Sequence, residues 1–190
     1  MRGEIVLPET KPETEWLRGR PVQKVSPFRP HARLQGWWIQ RLGEWAEDRG
    51  EVGPEWRFRI APPGEVVRPL VPDVSYLSYE RIGDLTAEEL LAPLVPLTAA
   101  IEIMSPGQNR RDVADKVATL IRAGTDLVAV VDPRKRTVTT TDRDATRTFA
   151  DGDTFSHPAL AGFTFAVTEM FAVLELRRPS SPATEPQRDR

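Results

Sequence analysis

Two segments of the chain place apolar side chains at the three-to-four residue spacing of an amphipathic helix. The first is "PHARLQGWWIQRLGEWAEDRG", which predicts a helix that stops at Gly50. Its apolar positions are Leu34, Trp37, Trp38, Leu42 and Trp45. The second is "NRRDVADKVATLIRAG", where Gly124 is expected to cap the C-terminus. Its apolar face consists of Val113, Val117, Leu120 and Ile121. We expect the tryptophans of the first helix to lie in the core.

Apolar or alternating runs around these helices predict strands. "LTAAIEIM" and "LVAVVD" flank the second helix, so strand, helix and strand over residues 97–131 predict a right-handed parallel crossover. "EWRFRI" alternates apolar and charged residues, as a half-buried strand does. In "VVRPLVPDVSYLS", Pro69 and Pro72 each remove a hydrogen-bond donor, which predicts an edge or irregular strand.

Shorter elements complete the pattern. "EWLRGRPVQKVS" predicts a hairpin that turns near Gly19, and "RTVTTTD" with "RTFADGDTF" predicts a meander. "HPALAGFTFAVTEMFAVLEL" predicts a short strand followed by a helix. The predicted fold class is therefore α/β, with a mixed β-sheet flanked by helices.

The length of 190 residues suits one domain and is short for two. Residues 1–13 are acidic and contain prolines, which predicts a flexible N-terminal arm. Residues 178–190 combine prolines with mixed charge and have no large apolar side chain, which predicts a disordered tail. A single domain is expected to span residues 14–177.

The composition excludes several kinds of chemistry. The chain has no cysteine, so disulfides, thiolate zinc sites and cysteine nucleophiles are ruled out. Its net charge of −2 does not favour non-specific coating of nucleic acid, although a local basic groove stays open. No apolar stretch approaches the roughly 18 residues of a membrane helix. We expect no membrane partner and a cytoplasmic location.

A carboxylate inside a buried strand is the first candidate for chemistry. Glu102 shares one face of its predicted strand with Ala100 and Met104, while Ile101 and Ile103 share the other. An ionised carboxylate in such a place costs several kcal/mol unless it is paired or binds a metal. Pairing with Arg or Lys and binding of a metal both stay open.

Asp73 is the second unusual carboxylate, because it follows Pro72 within strand-like sequence. Two carboxylates from neighbouring strands can hold a hard divalent ion such as magnesium, with waters and a backbone carbonyl as further ligands. The carbonyl of Ile103 is a candidate third ligand. Taken alone, Asp73 also fits an ordinary aspartate at the end of a strand.

Lys116 borders the apolar face of its helix, so its ammonium could reach back towards Glu102. There it could steady an attacking water or neutralise charge on a phosphate. Gln108, in the turn before this helix, could orient the same groups. Taken singly, Lys116 also fits a solvated helix lysine, Gln108 a loop residue, and His31 a polar residue at the start of a helix.

With these residues assembled, the chain resembles the Uma-two family of restriction-endonuclease-like proteins, within the PD-(D/E)XK nuclease superfamily. The resemblance spans roughly residues 15–175 and depends on the order and spacing of seven motifs. They are "EWLRGR", "VSPFRPHARL", "VPDVSYLS", "AIEIMSP", "DKVATLIRAG", "VVDP" and "LAGFTFAVTEMF".

The resemblance implies a restriction-endonuclease-like core and a divalent metal, magnesium with manganese possible, held by Asp73 and Glu102. The superfamily's lysine would fall two residues after the glutamate, at Met104. In the resemblance this lysine has moved to the following helix, as Lys116. The family also favours a glutamate near the start and a histidine that opens the first helix. Here those catalytic candidates are Glu15 and His31.

The expected function is a metal-dependent endonuclease that hydrolyses phosphodiester bonds in DNA. Between Ser105 and Arg136 the lysines and arginines outnumber the acids, which could serve contact with phosphates. A homodimer is expected, since cutting both strands commonly uses two copies. Two alternatives stay open: a catalytically inactive nucleic-acid-binding or scaffold protein on the same fold, and a hydrolase acting on another phosphorylated substrate.

Overall fold

A computed structural model describes residues 3–176 of the chain. The first six strands are β1 (Thr14–Leu17), β2 (Arg20–Gln23), β3 (Gly50–Pro54), β4 (Phe58–Ile60), β5 (Arg68–Leu70) and β6 (Val74–Ser78). The next six are β7 (Ala99–Ile103), β8 (Leu127–Asp132), β9 (Thr137–Thr141), β10 (Thr146–Ala150), β11 (Thr154–Phe155) and β12 (Phe165–Ala166). The α-helices are α1 (Arg29–Ala46), α2 (Tyr79–Ile82), α3 (Arg110–Ala123) and α4 (Val167–Ala172).

A six-stranded mixed sheet is the centre of the fold, with strand order β10-β9-β8-β7-β6-β3. Only β7 and β8 run parallel, because α3 connects them as a crossover; the other neighbours are antiparallel. This arrangement confirms the predicted α/β class with a mixed sheet flanked by helices.

The alternation of side chains along β7 divides the core into two layers. Ile101 and Ile103 pack with Trp38 of α1 and with aromatic residues near the C-terminal end of the described chain. Ala100 faces the other way and packs with Leu120 of α3. The sheet is therefore covered on both faces, and Glu102, on the Ala100 face, has to lie beneath α3.

Two small antiparallel ladders extend the α3 side of the sheet. β1 and β2 form the predicted hairpin, whose two turn residues, Arg18 and Gly19, have φ values of 48° and 74°. Positive φ at both positions matches the turn type whose twist suits a two-residue hairpin. The second ladder joins β4 to β5. The β1–β2 hairpin lies against α3 and reaches the end of the sheet at which Glu102 is found.

Two details of the sequence interpretation were wrong, and one was right in part. The segment with Pro69 and Pro72 was expected to be an edge or irregular strand. It is irregular, since it divides into β5 and β6, but β6 lies between β3 and β7, because Pro72 precedes the strand and costs it no ladder bond. β3 was not predicted at all, since its sequence GEVGP has no apolar alternation. Gly50 does not follow α1 directly but begins β3.

The N-terminal segment contacts the domain at several points, among them an ion pair between Glu13 and Arg57. The amide of Ile5 donates to the Val67 carbonyl at 2.8 Å, and Arg59 pairs with Glu4. Flexibility of the arm 1–13 and the extent of the domain 14–177 stay predictions, and the tail 178–190 lies outside the described residues. Within residues 3–176, no helix has the length and apolar character needed to cross a membrane.

Candidate active site

The register of two strands brings Asp73 and Glu102 to the same end of the sheet. Val74 of β6 pairs with Ile101 of β7, so one further step of the antiparallel register places Asp73 opposite Glu102. Both carboxylates are about 3% exposed, and both line one cavity of about 210 Å³. Two acids far apart in the sequence therefore meet in a single pocket, as the sequence analysis expected.

The Asp73 carboxylate is held by the backbone of β7 and by a lysine. Its Oδ2 accepts a hydrogen bond from the Ile103 amide at 2.7 Å, which fixes the orientation of the carboxylate against the strand. Its Oδ1 accepts a hydrogen bond of 2.6 Å from Lys24 Nζ. Ile103 also lines the cavity, and binding of a metal by its carbonyl stays a prediction.

Lys116 reaches Glu102 from the buried face of α3. It lies one turn before Leu120, which packs against Ala100, so the same helix face carries Lys116 onto the sheet. Its Nζ lies 2.8 Å from Glu102 Oε1 and 2.6 Å from Glu15 Oε1. Lys116 and Glu102 thus form a buried ion pair, so Glu102 Oε1 already faces a positive charge.

Glu15 and the peptide of Val71 connect these groups. Glu15 is two residues before the core residue Leu17 in β1, so period-two alternation turns both side chains inward. Glu15 Oε1 accepts a hydrogen bond from the Val71 amide at 2.7 Å. The Val71 carbonyl accepts from both ammonium groups, at 2.8 Å from Lys116 and 3.0 Å from Lys24. Glu15 thus positions Lys116 instead of facing solvent.

Lys24 is the site residue that sequence reasoning missed. It follows the exposed strand β2, where no apolar spacing marks it as buried, yet its side chain is only 10% exposed. Charge balance could have indicated that a residue was missing, because three buried carboxylates with a single lysine leave a net negative charge. This argument calls for a second positive side chain, but it does not identify which of the 26 lysines and arginines supplies it.

His31 and Gln108 lie at the border of the same cavity. His31 Nδ1 is 3.0 Å from Ser105 Oγ, and its Nε2 is 3.7 Å from Asp73 Oδ1. The Gln108 side-chain oxygen accepts a hydrogen bond from the Ser105 amide at 3.2 Å, which steadies the turn between β7 and α3. All six predicted catalytic candidates therefore line one cavity, although His31 and Gln108 are tied chiefly to Ser105.

The hairpin is anchored over the cavity by a buried aspartate of α3. Asp112 is 6% exposed and pairs with Arg20 at 2.8 Å and Arg18 at 3.4 Å. The backbone amide of Arg18 also donates to Asp115 at 3.0 Å. These contacts hold the turn of the hairpin against the first half of α3, and Asp112 is a second buried group that the sequence analysis did not identify.

Burial and charge shift the pKa values of the site in opposite directions. Burial raises the pKa of Glu102 to about 8; Lys116 opposes this shift, and the negative charge of Asp73 adds to it. Burial also disfavours the ionised forms of Lys116 and Asp73, but at both residues the neighbouring charges have the larger combined effect on the pKa. Glu102 and Glu15 keep the pKa of Lys116 raised, and Lys24 is the main charge that keeps the pKa of Asp73 lowered.

The oxygen atoms of this cavity fit a hard divalent cation. Glu102 and Asp73 are buried carboxylates of the same cavity, and each already faces a cationic group, Lys116 at 2.8 Å and Lys24 at 2.6 Å. No group of three or more His, Cys, Asp or Glu side chains in that range is arranged to hold a metal. A cation here would consequently rely on two carboxylates, with backbone carbonyl and water oxygens as its other ligands.

A larger cavity of about 590 Å³ lies between α3 and strands β8 and β9. Apolar residues of α3 and the threonines of β9 form most of its lining. Its ionisable residues are Arg110, Arg122, Asp132 and Lys135, and it holds none of the three buried carboxylates described above. The smaller cavity, with its convergent buried charges, is therefore the candidate active site.

The mixed sheet, its two helical layers and the carboxylate–lysine cavity define an α/β protein of the restriction-endonuclease-like class. A family model matches residues 5–168, and that family is Uma2, described as "Putative restriction endonuclease". The match covers most of the chain, so the chain belongs to the Uma2 family. The resemblance inferred from the seven motifs is confirmed.

A solved structure shares this fold. It is a crystal structure described as a "putative nuclease belonging to DUF820" from Anabaena variabilis, and it matches with a TM-score of 0.79 and 24% identity. The match covers 89% of this chain and 95% of the other. At this identity the comparison establishes the fold. No curated protein matches the chain.

Proposed function

We propose that this chain is a metal-dependent endonuclease that hydrolyses phosphodiester bonds in DNA. The observation that carries the proposal is the convergence of Asp73, Glu102 and Lys116 in one buried cavity, with Lys116 Nζ 2.8 Å from Glu102 Oε1. Membership of a family described as restriction endonucleases supports the nuclease class. Magnesium is the proposed cofactor, with manganese able to replace it.

Asp73 and Glu102 would hold the cation, with the Ile103 carbonyl as a further candidate ligand. When bound, such a cation polarises a phosphate and lowers the pKa of a coordinated water. The Ile103 amide keeps the Asp73 carboxylate in place. Lys116, fixed by Glu15 and the Val71 carbonyl, offers a positive charge to an attacking water or to the phosphate. His31 and Gln108 would orient groups at the mouth of the cavity.

Exposed basic residues at the start of α3 and in the β8–β9 turn support a nucleic-acid substrate. Arg111 at the start of α3 and Arg134 and Lys135 in the β8–β9 turn are exposed. Others of the same basic region are already paired, such as Arg122 with Glu65 and Arg136 with Asp151. The proposed phosphate contacts are therefore Arg111, Arg134 and Lys135.

The test compares supercoiled plasmid, linear duplex DNA, single-stranded DNA, RNA and nucleotides, each with Mg²⁺, Mn²⁺ or EDTA. We expect cleavage of DNA with metal only. Asp73→Asn should lower the rate at least about a hundredfold, because it removes a charge on which the cation depends. Lys116→Met should also lower the rate by a similar factor.

Matched controls separate site effects from general charge effects. Asp84→Asn and Lys11→Met make the same changes at exposed positions, and both should leave the rate within about twofold of the wild type. Equal rates for the wild type and Asp73→Asn would contradict the proposal. Cleavage of RNA or nucleotides but not DNA would keep the site and overturn the substrate.

A further inference from the structure

Lys24 occupies the position on Asp73 that a divalent cation needs. Its Nζ is 2.6 Å from Asp73 Oδ1 and 3.0 Å from the Val71 carbonyl, while Asp73 Oδ2 is committed to the Ile103 amide. Oδ1 is thus the side of the Asp73 carboxylate that faces a cation, and in this structure the cation is an ammonium group. A metal cannot take that place while the Lys24 ammonium remains there.

The charge of the cavity also favours exchange over simple addition. With every group ionised, Glu15, Asp73 and Glu102 carry three negative charges against the two positive charges of Lys24 and Lys116. Adding a divalent cation would leave a surplus positive charge in a buried place, which is costly. If Lys24 leaves, the three carboxylates, Lys116 and the divalent cation are balanced.

A second partner for Lys24 lies nearby. Glu55 Oε1 is 3.8 Å from Lys24 Nζ, and its side chain is 39% exposed, whereas that of Asp73 is 4% exposed. Glu55 has a φ of 47°, in the left-handed region that non-glycine residues seldom adopt. Its amide donates to the Asp73 carbonyl at 3.3 Å, so this unusual backbone places a carboxylate beside the same lysine.

We propose that Lys24 is a built-in competitor of the metal: it neutralises Asp73 in the metal-free protein and moves towards Glu55 when a divalent cation binds. This inference rests on the metal site of the proposed function and adds its regulation. Lys24 would set the metal concentration at which the site fills. It would also keep the buried Asp73 charge paired when no metal is present.

The first test measures Mn²⁺ binding by titration calorimetry, in the wild type, Lys24→Met and Lys11→Met. If Lys24 covers Asp73 in nine of ten molecules or more, its removal should tighten Mn²⁺ binding by about tenfold or more. Lys11→Met removes the same charge at an exposed position and should change the dissociation constant less than about threefold. Tighter binding by Lys24→Met alone supports the inference.

The outcomes separate the inference from the proposed function. Mn²⁺ binding by the wild type, with Lys24→Met equal to it or weaker, overturns the competition and leaves the metal site standing. Absence of binding in both the wild type and Lys24→Met overturns both. Binding by Lys24→Met alone supports the inference in its strongest form.

A second measurement needs no variant, in case Lys24→Met fails to fold. Nitrogen-15 NMR of lysine ammonium groups, recorded on the wild type during a Mg²⁺ titration, should show one buried ammonium signal lost or shifted as the Ile103 amide signal moves. A Lys24 ammonium signal that stays unchanged while the Ile103 amide reports saturation overturns the inference.

Discussion

At Glu102, burial and the charge of Lys116 shift the pKa in opposite directions. It lies beneath α3 within the central strand β7, with Lys116 as its close cationic neighbour and Asp73 as a nearby anion. Burial raises its pKa to about 8, while the ammonium group of Lys116 favours the ionised form. A buried acid that can gain or lose a proton near neutrality is typical of sites that bind cations or perform acid–base chemistry.

This pKa predicts how stability depends on pH. Because the folded-state pKa of Glu102 lies above the ordinary value of 4.5, its contribution is fully present below about pH 4.5 and is lost as the pH rises through about 8. Between pH 5 and 8, the free energy of unfolding of metal-free protein should fall by up to about 1.4 kcal/mol per pH unit on account of this group. Urea unfolding in EDTA measures it.

Glu102→Gln is the control, since glutamine resembles the protonated acid and does not titrate. The difference in unfolding free energy between wild type and Glu102→Gln should drift against the wild type as the pH rises. Parallel curves for the two proteins from pH 5 to 9 would show that Glu102 does not carry the shifted pKa.

At the scale of elements, the sequence predicted those helices and strands around the site that have one apolar face. The alternation in β7 and the helical face of α3 were sufficient to place Glu102 and Lys116 on facing surfaces. β3 was missed because it pairs at the edge of the sheet through its backbone, with glycines at both Gly50 and Gly53. Such a strand forms because its glycines let its backbone come close to β6, so its side chains show no pattern that would predict it.

Gly50 shows what that approach requires. A Cβ at this position would lie 2.2 Å from the Leu77 carbonyl oxygen and 2.7 Å from Ser78 Cα, so backbone would have to move. Gly50→Ala should lower the free energy of unfolding by about 2 kcal/mol or more.

Gly43→Ala is the matched substitution, because a Cβ there meets nothing within 4 Å and α1 continues through it. It should raise the free energy of unfolding by about 0.5–1 kcal/mol. Thermal or urea unfolding of the two variants tests this pair. A Gly50→Ala protein as stable as the wild type would mean that β3 does not approach β6 as described.

At the scale of the whole molecule, the fold class and the family were within reach of the sequence, while the charge balance of the site was not. Asp73, Glu102 and Lys116 could be assembled because each sits in a segment with a clear pattern. Lys24 and Asp112 could not, because both are held by contacts between distant segments: Lys24 contacts Asp73, 49 residues away, and Asp112 contacts Arg20, 92 residues away. Contacts between segments that are far apart in the chain leave little trace in the local sequence.

If the chain cuts both strands of a duplex, we predict that two copies of it act together. Sedimentation equilibrium with Mg²⁺ and a short duplex is expected to give a complex that contains two chains. A complex with one chain per duplex, together with cleavage of both strands, would contradict the proposed homodimer without affecting the site.

The most direct measurement is the anomalous diffraction of a crystal soaked in Mn²⁺, recorded at the manganese absorption edge. We predict one strong peak within coordination distance of carboxylate oxygens from both Asp73 and Glu102, and no such peak in an Asp73→Asn crystal. A wild-type crystal under saturating Mn²⁺ that has no peak in this cavity, with both carboxylates still paired to lysines, would contradict the proposed metal site.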